Sequence, residues 1–163
     1  MMINDKLANA LNDQVTAEIH ASLLYLQLSY ALDDLGLVGM RDWMRAQHEE
    51  ELEHAEAFSQ HLLDRDITPQ IKAIESPQVS VKTAEDAFAA ALEHERKVSA
   101  MIRNLENIRE EVRDLDSRPL LDQFLAEQIE EESTVSEILD RLKIAGESGS
   151  GILHIDAELG DRK

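Results

Sequence analysis

Four glutamates stand where apolar residues belong. Glu18, Glu51, Glu95 and Glu131 each interrupt a stripe of residues spaced three and four apart, the spacing that lines one face of an α-helix. The first stripe reads Leu7, Leu11, Val15, Glu18, Ser22, Tyr25, Ser29, and the second Met40, Met44, Gln47, Glu51, His54, Phe58, Leu62. The third reads Phe88, Ala91, Glu95, Val98, Ile102, Leu105, and the fourth Leu121, Phe124, Gln128, Glu131, Val135, Ile138, Leu142. An ionised carboxylate in a core costs several kcal/mol even after relaxation. Four of them would consume the ~5–15 kcal/mol that stabilises a whole domain. No Lys or Arg lies on any stripe, and His54 supplies at most one charge. Bound cations are the simplest compensation, since four carboxylates and an imidazole balance two divalent ions. The rival is a structural bundle holding protonated, hydrogen-bonded Glu side chains. Spacing favours the ions: Glu51-Leu52-Glu53-His54 is Glu-x-x-His, which puts oxygen and nitrogen donors on one face, and Gln128 precedes Glu131 by the same interval.

The elements that must position these residues follow from the same periodicity. Helices are expected at about 5–33, 38–65, 83–112 and 118–145, with a short fifth at about 150–160 carrying Ile152, Ile155 and Leu159 on one face. Asn4 or Asp5 can cap the first, Thr83 with Asp86 forms a capping box for the third, and Ser117 can cap the fourth ahead of Pro119. Gly36 and Gly146 sit where helices should stop. The links at 34–37 and 113–117 are short and join antiparallel neighbours. Residues 66–82 hold Pro69 and Pro77 and no helical period. Extended at ~3.3 Å per residue that segment reaches ~56 Å, enough to run the ~42 Å of a 28-residue helix. The prediction is an all-α four-helix bundle with one long crossover and a short C-terminal helix, a single domain over 1–163. In such a bundle the four glutamates meet at one depth.

Composition narrows the function classes. Sixteen basic against 34 acidic side chains give a net charge of −18 over 163 residues, which excludes a basic-patch nucleic-acid binder and disfavours anionic membrane surfaces. There is no cysteine, hence no disulfide, thiolate metal site or cysteine nucleophile. No apolar run approaches the ~18 residues of a membrane span, and no secretory signal follows Met1. A soluble cytoplasmic protein is expected.

The stretches AEIHASLLY around Glu18, EEELEH around Glu51, LEHE ending at Glu95 and AEQIEEE around Glu131, with the tail AGESGSGILHIDAEL, resemble the ferritins of the haem-free bacterial and archaeal kind. Ferritin-like bundles are the known case of a di-metal carboxylate site of this type. The resemblance implies that Glu18, Glu51 and His54 hold one iron, and that Glu51, Glu95 and Glu131 hold a second, with Glu51 bridging and Gln128 beside it. It implies a third iron at Glu50, Glu127 and Glu130, and places Tyr25 next to the di-iron centre. It further implies two to three iron ions per subunit, Fe(II) oxidised by O2 or H2O2, and a ferric mineral stored inside a shell of 24 subunits. Bacterioferritins have Met at the position of Leu52 to bind haem and a His on the fourth helix; this chain has neither, so no haem is expected. Gln123 replaces a Trp found in many bacterial ferritins.

Hard oxygen donors with little nitrogen suit iron or manganese alike, so a di-iron or dimanganese oxidoreductase that stores nothing is the alternative function. His20, His48 and His94 lie off the stripes and are expected at the surface, and His61 in a packing or solvated role. Met40 and Met44 read as core fillers. Asp114, Asp116 and Asp122 are candidates for an iron entry pore.

Overall fold

The computed structural model describes residues 2–162. The element order is α1 (Asp5–Asp34), α2 (Val38–Leu63), α3 (Ala84–Val112), α4 (Arg118–Ala145) and α5 (Gly149–Gly160). Asn4 caps α1 by accepting from the Lys6 amide, and the Thr83–Asp86 capping box opens α3 as expected. Gly36 takes φ +77° and closes α1, with the Leu37 amide donating to the Leu32 carbonyl at 3.0 Å; an L side chain there would be strained.

Two ends depart from expectation for traceable reasons. Helix α2 stops two residues early. Asp66 takes a left-handed φ of 60° and the Ile67 amide returns to the Leu62 carbonyl at 2.9 Å, which frees Arg65 to pair with Asp114. At the start of α4, Ser117 makes no side-chain cap. Its hydroxyl meets His61 Nε2 at 2.8 Å and accepts from Arg65 at 3.1 Å, while its amide donates to Asp114 Oδ2 at 3.0 Å.

Two apolar clusters define the topology. One joins the C-terminal half of α1 (Leu28, Leu32), the start of α2 (Met40, Met44), the start of α3 (Phe88, Ala91) and the end of α4 (Leu139, Leu142). The other joins the start of α1 (Leu7, Leu11), the end of α2 (Phe58, Leu62), the end of α3 (Ile102, Leu105) and the start of α4 (Leu121, Phe124). Hence α2 and α3 run parallel and antiparallel to α1 and α4, and the link between them must travel the bundle's length. It does so along α1. Gln70 exchanges hydrogen bonds with Asn12 at 2.7 and 3.0 Å, and the Lys72 amide donates to Thr16 at 3.1 Å. Farther on, Val79 and Val81 pack against the first cluster. No helix of the described residues is long and apolar enough to cross a membrane.

Helix α5 lies on the N-terminal half of α2. Its approach is close: a Cβ on Gly39 would fall 1.9 Å from the Asp156 carbonyl oxygen, so only glycine fits. Leu37 cannot cap α2, and Asp156 does it from a distance in sequence, its Oδ1 accepting from the Met40 amide at 2.8 Å.

Candidate metal centre

Between the two apolar clusters the stripes turn polar, as their middles dictate. Glu18, Glu51 and Glu95 are 1%, 2% and 1% exposed, and Glu131 is half-buried. Helix α1 brings Glu18, α2 brings Glu51 and His54, α3 brings Glu95 and α4 brings Gln128 and Glu131.

Glu18, Glu51 and His54 each offer one donor atom, and the three atoms lie within 4.8 Å of one another. His54 Nδ1 is 3.4 Å from Glu51 Oε2 and 3.9 Å from Glu18 Oε2. Donors about 2.1 Å from a shared divalent ion stand up to ~4.2 Å apart, so small side-chain adjustments close this set around one cation. Glu18 is held by Gln14, which donates to its Oε1 at 2.9 Å. Its other oxygen is buried with no hydrogen-bond partner, a costly arrangement for a carboxyl group unless a ligand completes it. His54 packs edge-on against Phe124, ring centroids 5.1 Å apart, which fixes its ring.

Glu95 anchors the other side. The Tyr25 hydroxyl donates to Glu95 Oε1, and Gln128 Nε2 donates to Glu95 Oε2 at 3.1 Å and to the Ser99 hydroxyl at 3.1 Å. Gln128, expected as a metal neighbour, thus turns its amide nitrogen to Glu95 and orients it. Gln47 Nε2 holds Glu131 Oε2 at 3.0 Å, a supporting role that stripe membership alone did not reveal.

Electrostatics follow from crowding like charges in a dry interior. Burial pushes the Glu18 carboxyl well up, and the Glu51 charge adds to it. Burial also raises Glu51, with Glu95 and Glu131 contributing, and it raises Glu95. Glu131 is pushed up to about 7 by burial, then by Glu95 and Glu50. The Tyr25 phenol is raised by burial and by Glu95, so it stays a neutral donor. Among the described residues the only ion pairs to Glu18 and Glu51 come from His54.

The outer acids are less gathered. Glu127 Oε2 lies 3.2 Å from His54 Nε2, on the far side of the ring from Glu18 and Glu51. Glu50 is held by Arg162 at 2.8 Å, and Glu130 is exposed. The three expected third-site carboxylates are therefore not drawn together as the first set is. Leu52, at the haem-ligand position, is 43% exposed.

Three histidines expected at the surface are half-buried instead. His48 Nδ1 sits 2.8 Å from the Ser22 carbonyl oxygen. His20 and His94 face each other, centroids 6.2 Å apart, in a cleft roofed by Pro77, Gln78 and Val79 of the crossover. Periodicity could not foresee that roof. Burial, then the neighbouring His20, depresses His94 to about 4. Asp114, a candidate pore residue, is locked to Arg65 by two bonds of 2.7 Å.

A ferritin-like domain model matches residues 8–145. The bacterial non-heme ferritin of Bacteroides fragilis is 36% identical over 161 residues, covering 99% of this chain and 100% of that protein. A probable bacterial non-heme ferritin-like protein of Haemophilus influenzae is 32% identical, covering 98% and 97%. An open pore ferritin from Archaeoglobus fulgidus superposes with a TM-score of 0.96 at 34% identity, covering 99% of both chains.

Proposed function

The chain belongs to the ferritin family, beside the non-heme ferritins of bacteria and archaea, and from that premise we propose that it is a ferroxidase subunit of an iron-storing shell. Iron storage is what the family does; the chemistry assigned to these residues is our reading. Fe(II) is substrate here. One ion is taken by Glu18, Glu51 and His54, and a second by Glu51, Glu95 and Glu131, with Glu51 shared. A pair of Fe(II) ions can deliver two electrons to O2 or H2O2 together, so the oxidant is not released after a single electron. Carboxylates favour the Fe(III) product over Fe(II) because they are hard anionic donors.

The protein's part is positional. Gln14 and Gln128 hold carboxylates in place, Tyr25 keeps a neutral donor on Glu95, and the apolar clusters above and below exclude water. Carboxyls with raised pKa values bind protons that an arriving cation displaces. Glu50, Glu127 and Glu130 take a third ion on its way outward, no haem is used, and 24 copies close the shell in the cytoplasm.

The observation that carries this reading is the buried, unpartnered Glu18 Oε2 facing Glu51 and His54. Anaerobic Fe(II) titration followed by O2 tests it, with two ions per subunit oxidised in a fast phase and a particle of 24 subunits on mass measurement. A slow oxidation with no stoichiometric break would remove it.

A further inference from the structure

Arg162 lies just past α5, yet it runs along one face of α2. Its guanidinium stacks 4.7 Å from the Trp43 ring centroid and donates to the Trp43 carbonyl at 3.2 Å. It also donates to Gln47 Oε1, and to Glu50 Oε2 at 2.8 Å. Trp43, Gln47 and Glu50 are four and three residues apart and share that face. Gln47 passes the contact inward, its Nε2 donating to Glu131 Oε2 at 3.0 Å. A cation absent from every stripe thus touches one carboxylate of the acidic cluster and orients a second through an amide.

The placement is built into the fold. The close approach at Gly39 and the Asp156 cap on the Met40 amide set α5 against the start of α2. From that anchor Arg162 reaches Glu50, about three turns farther along α2. The side chain of Arg162 remains a quarter exposed and that of Glu50 more so, so the pair is an exchangeable one. A divalent ion on Glu50 and a guanidinium on the same carboxylate would repel each other at short range.

We propose that Arg162 is a displaceable counter-cation of the metal centre: it holds Glu50, and through Gln47 positions Glu131, until a metal ion takes Glu50, whereupon the guanidinium leaves that carboxylate and comes off the Trp43 ring. The inference rests on Glu50 being an outer metal ligand, as proposed above. It makes Arg162 a positioning residue and couples loading of the outer ion to docking of Arg162 on α2.

Trp43 is the sole tryptophan and reports on the contact directly. The test titrates Zn(II), which is redox-inert and colourless, into the full-length metal-free protein, following Trp43 emission and zinc bound per subunit by calorimetry. In the wild type, Trp43 emission changes during the last equivalent bound and not during the earlier ones. In Arg162→Ala that change is lost, and the last equivalent binds about fivefold more tightly, the scale of a partly exposed ion pair. Glu50→Gln loses both the last equivalent and the emission change. Circular dichroism and particle mass matching the wild type establish that each variant folds. An emission change that persists in Arg162→Ala, or a last step whose affinity does not move, overturns the proposal. Two ions in both proteins with no further step overturns it while leaving the di-metal reading intact. No zinc uptake in either removes the functional reading itself.

Discussion

Asp114 and Glu131 are both carboxylates withdrawn from solvent, one at an end of the bundle and one at its waist. At Asp114 the chain supplies the partner. Arg65 gives it two bonds of 2.7 Å and the Ser117 amide a third, and the Arg65 hydrogen bonding holds the carboxyl down at about 2. At Glu131 the chain supplies a glutamine and more acids, and burial lifts the carboxyl to about 7. A buried acid whose counter-charge is encoded in the sequence is architecture; one crowded by other acids with no Lys or Arg paired to it is a candidate for holding a cation. Substitutions should therefore separate the two places cleanly.

The largest separation is in activity. Glu18→Ala and Glu51→Ala each remove a donor from the three-atom set, and fast Fe(II) oxidation should fall by at least about 100-fold. Asp114→Ala should leave the rate per folded subunit unchanged. Stopped-flow oxidation with O2 checks both, and rapid oxidation surviving in both Glu variants would erase the distinction.

Stability should show the reverse. Asp114→Ala strands the Arg65 guanidinium, which is 8% exposed, and should cost about 2 kcal/mol, discounted for the solvent that still reaches the pair. Glu131→Gln keeps the shape and removes an unfavourable charge, so the metal-free protein at pH 8 should gain about 1 kcal/mol. Urea denaturation of the two variants beside the wild type reads both signs. Equal losses in the two would mean that Glu131 is as well paired as Asp114.

The pH dependence also has opposite signs. Asp114 is lowered from an ordinary 3.8 to about 2, so its contribution is complete above 3.8 and is lost as pH falls toward 2. Glu131 is raised from 4.5 to about 7, so its contribution is present below 4.5 and is lost as pH rises through 7. Glu18, Glu51 and Glu95 shift in the same direction as Glu131. The metal-free protein should melt at a lower temperature at pH 8 than at pH 5.5, and Zn(II) should reverse the order. Calorimetry of Zn(II) binding at pH 7 in two buffers of different ionisation enthalpy should record release of about one proton or more per centre.

The waist was far more legible in the sequence than the pairs around it. Periodicity states which face of a helix turns inward, so four glutamates on four stripes announced themselves, as did the Thr83–Asp86 cap and the crossover. It says nothing of what lies against the other faces. Arg65 and Asp114 are 49 residues apart, and Arg65 read as one more turn of α2. Asp156 caps α2 across 116 residues, and Arg162 meets Glu50 across 112. Each of these is a polar contact between an element's end and a distant backbone or side chain, fixed by tertiary approach (at Gly39 for the last two, at the turn after α2 for the first) rather than by local pattern. Half-burial of His94 likewise follows from a loop whose path carries no period.

Tyr25 offers the finest cut between architecture and site, because it belongs to both. It is fully buried in the apolar cluster, and its hydroxyl holds Glu95. Burial and the Glu95 charge raise its pKa, so at working pH the phenol is a neutral donor. Tyr25→Phe preserves the packing and deletes the donor, leaving Gln128 as the remaining side chain bonded to Glu95. A plain core residue would lose about 1 kcal/mol for the missing hydrogen bond and would leave iron chemistry alone. Because Glu95 is a proposed ligand of the second ion, the expected result is different: two Fe(II) ions still bind, but the fast phase slows roughly two- to tenfold as the carboxylate loses its orientation. Unchanged kinetics beside a lowered denaturation midpoint would assign Tyr25 to the core and move the edge of the functional waist inward to Glu95.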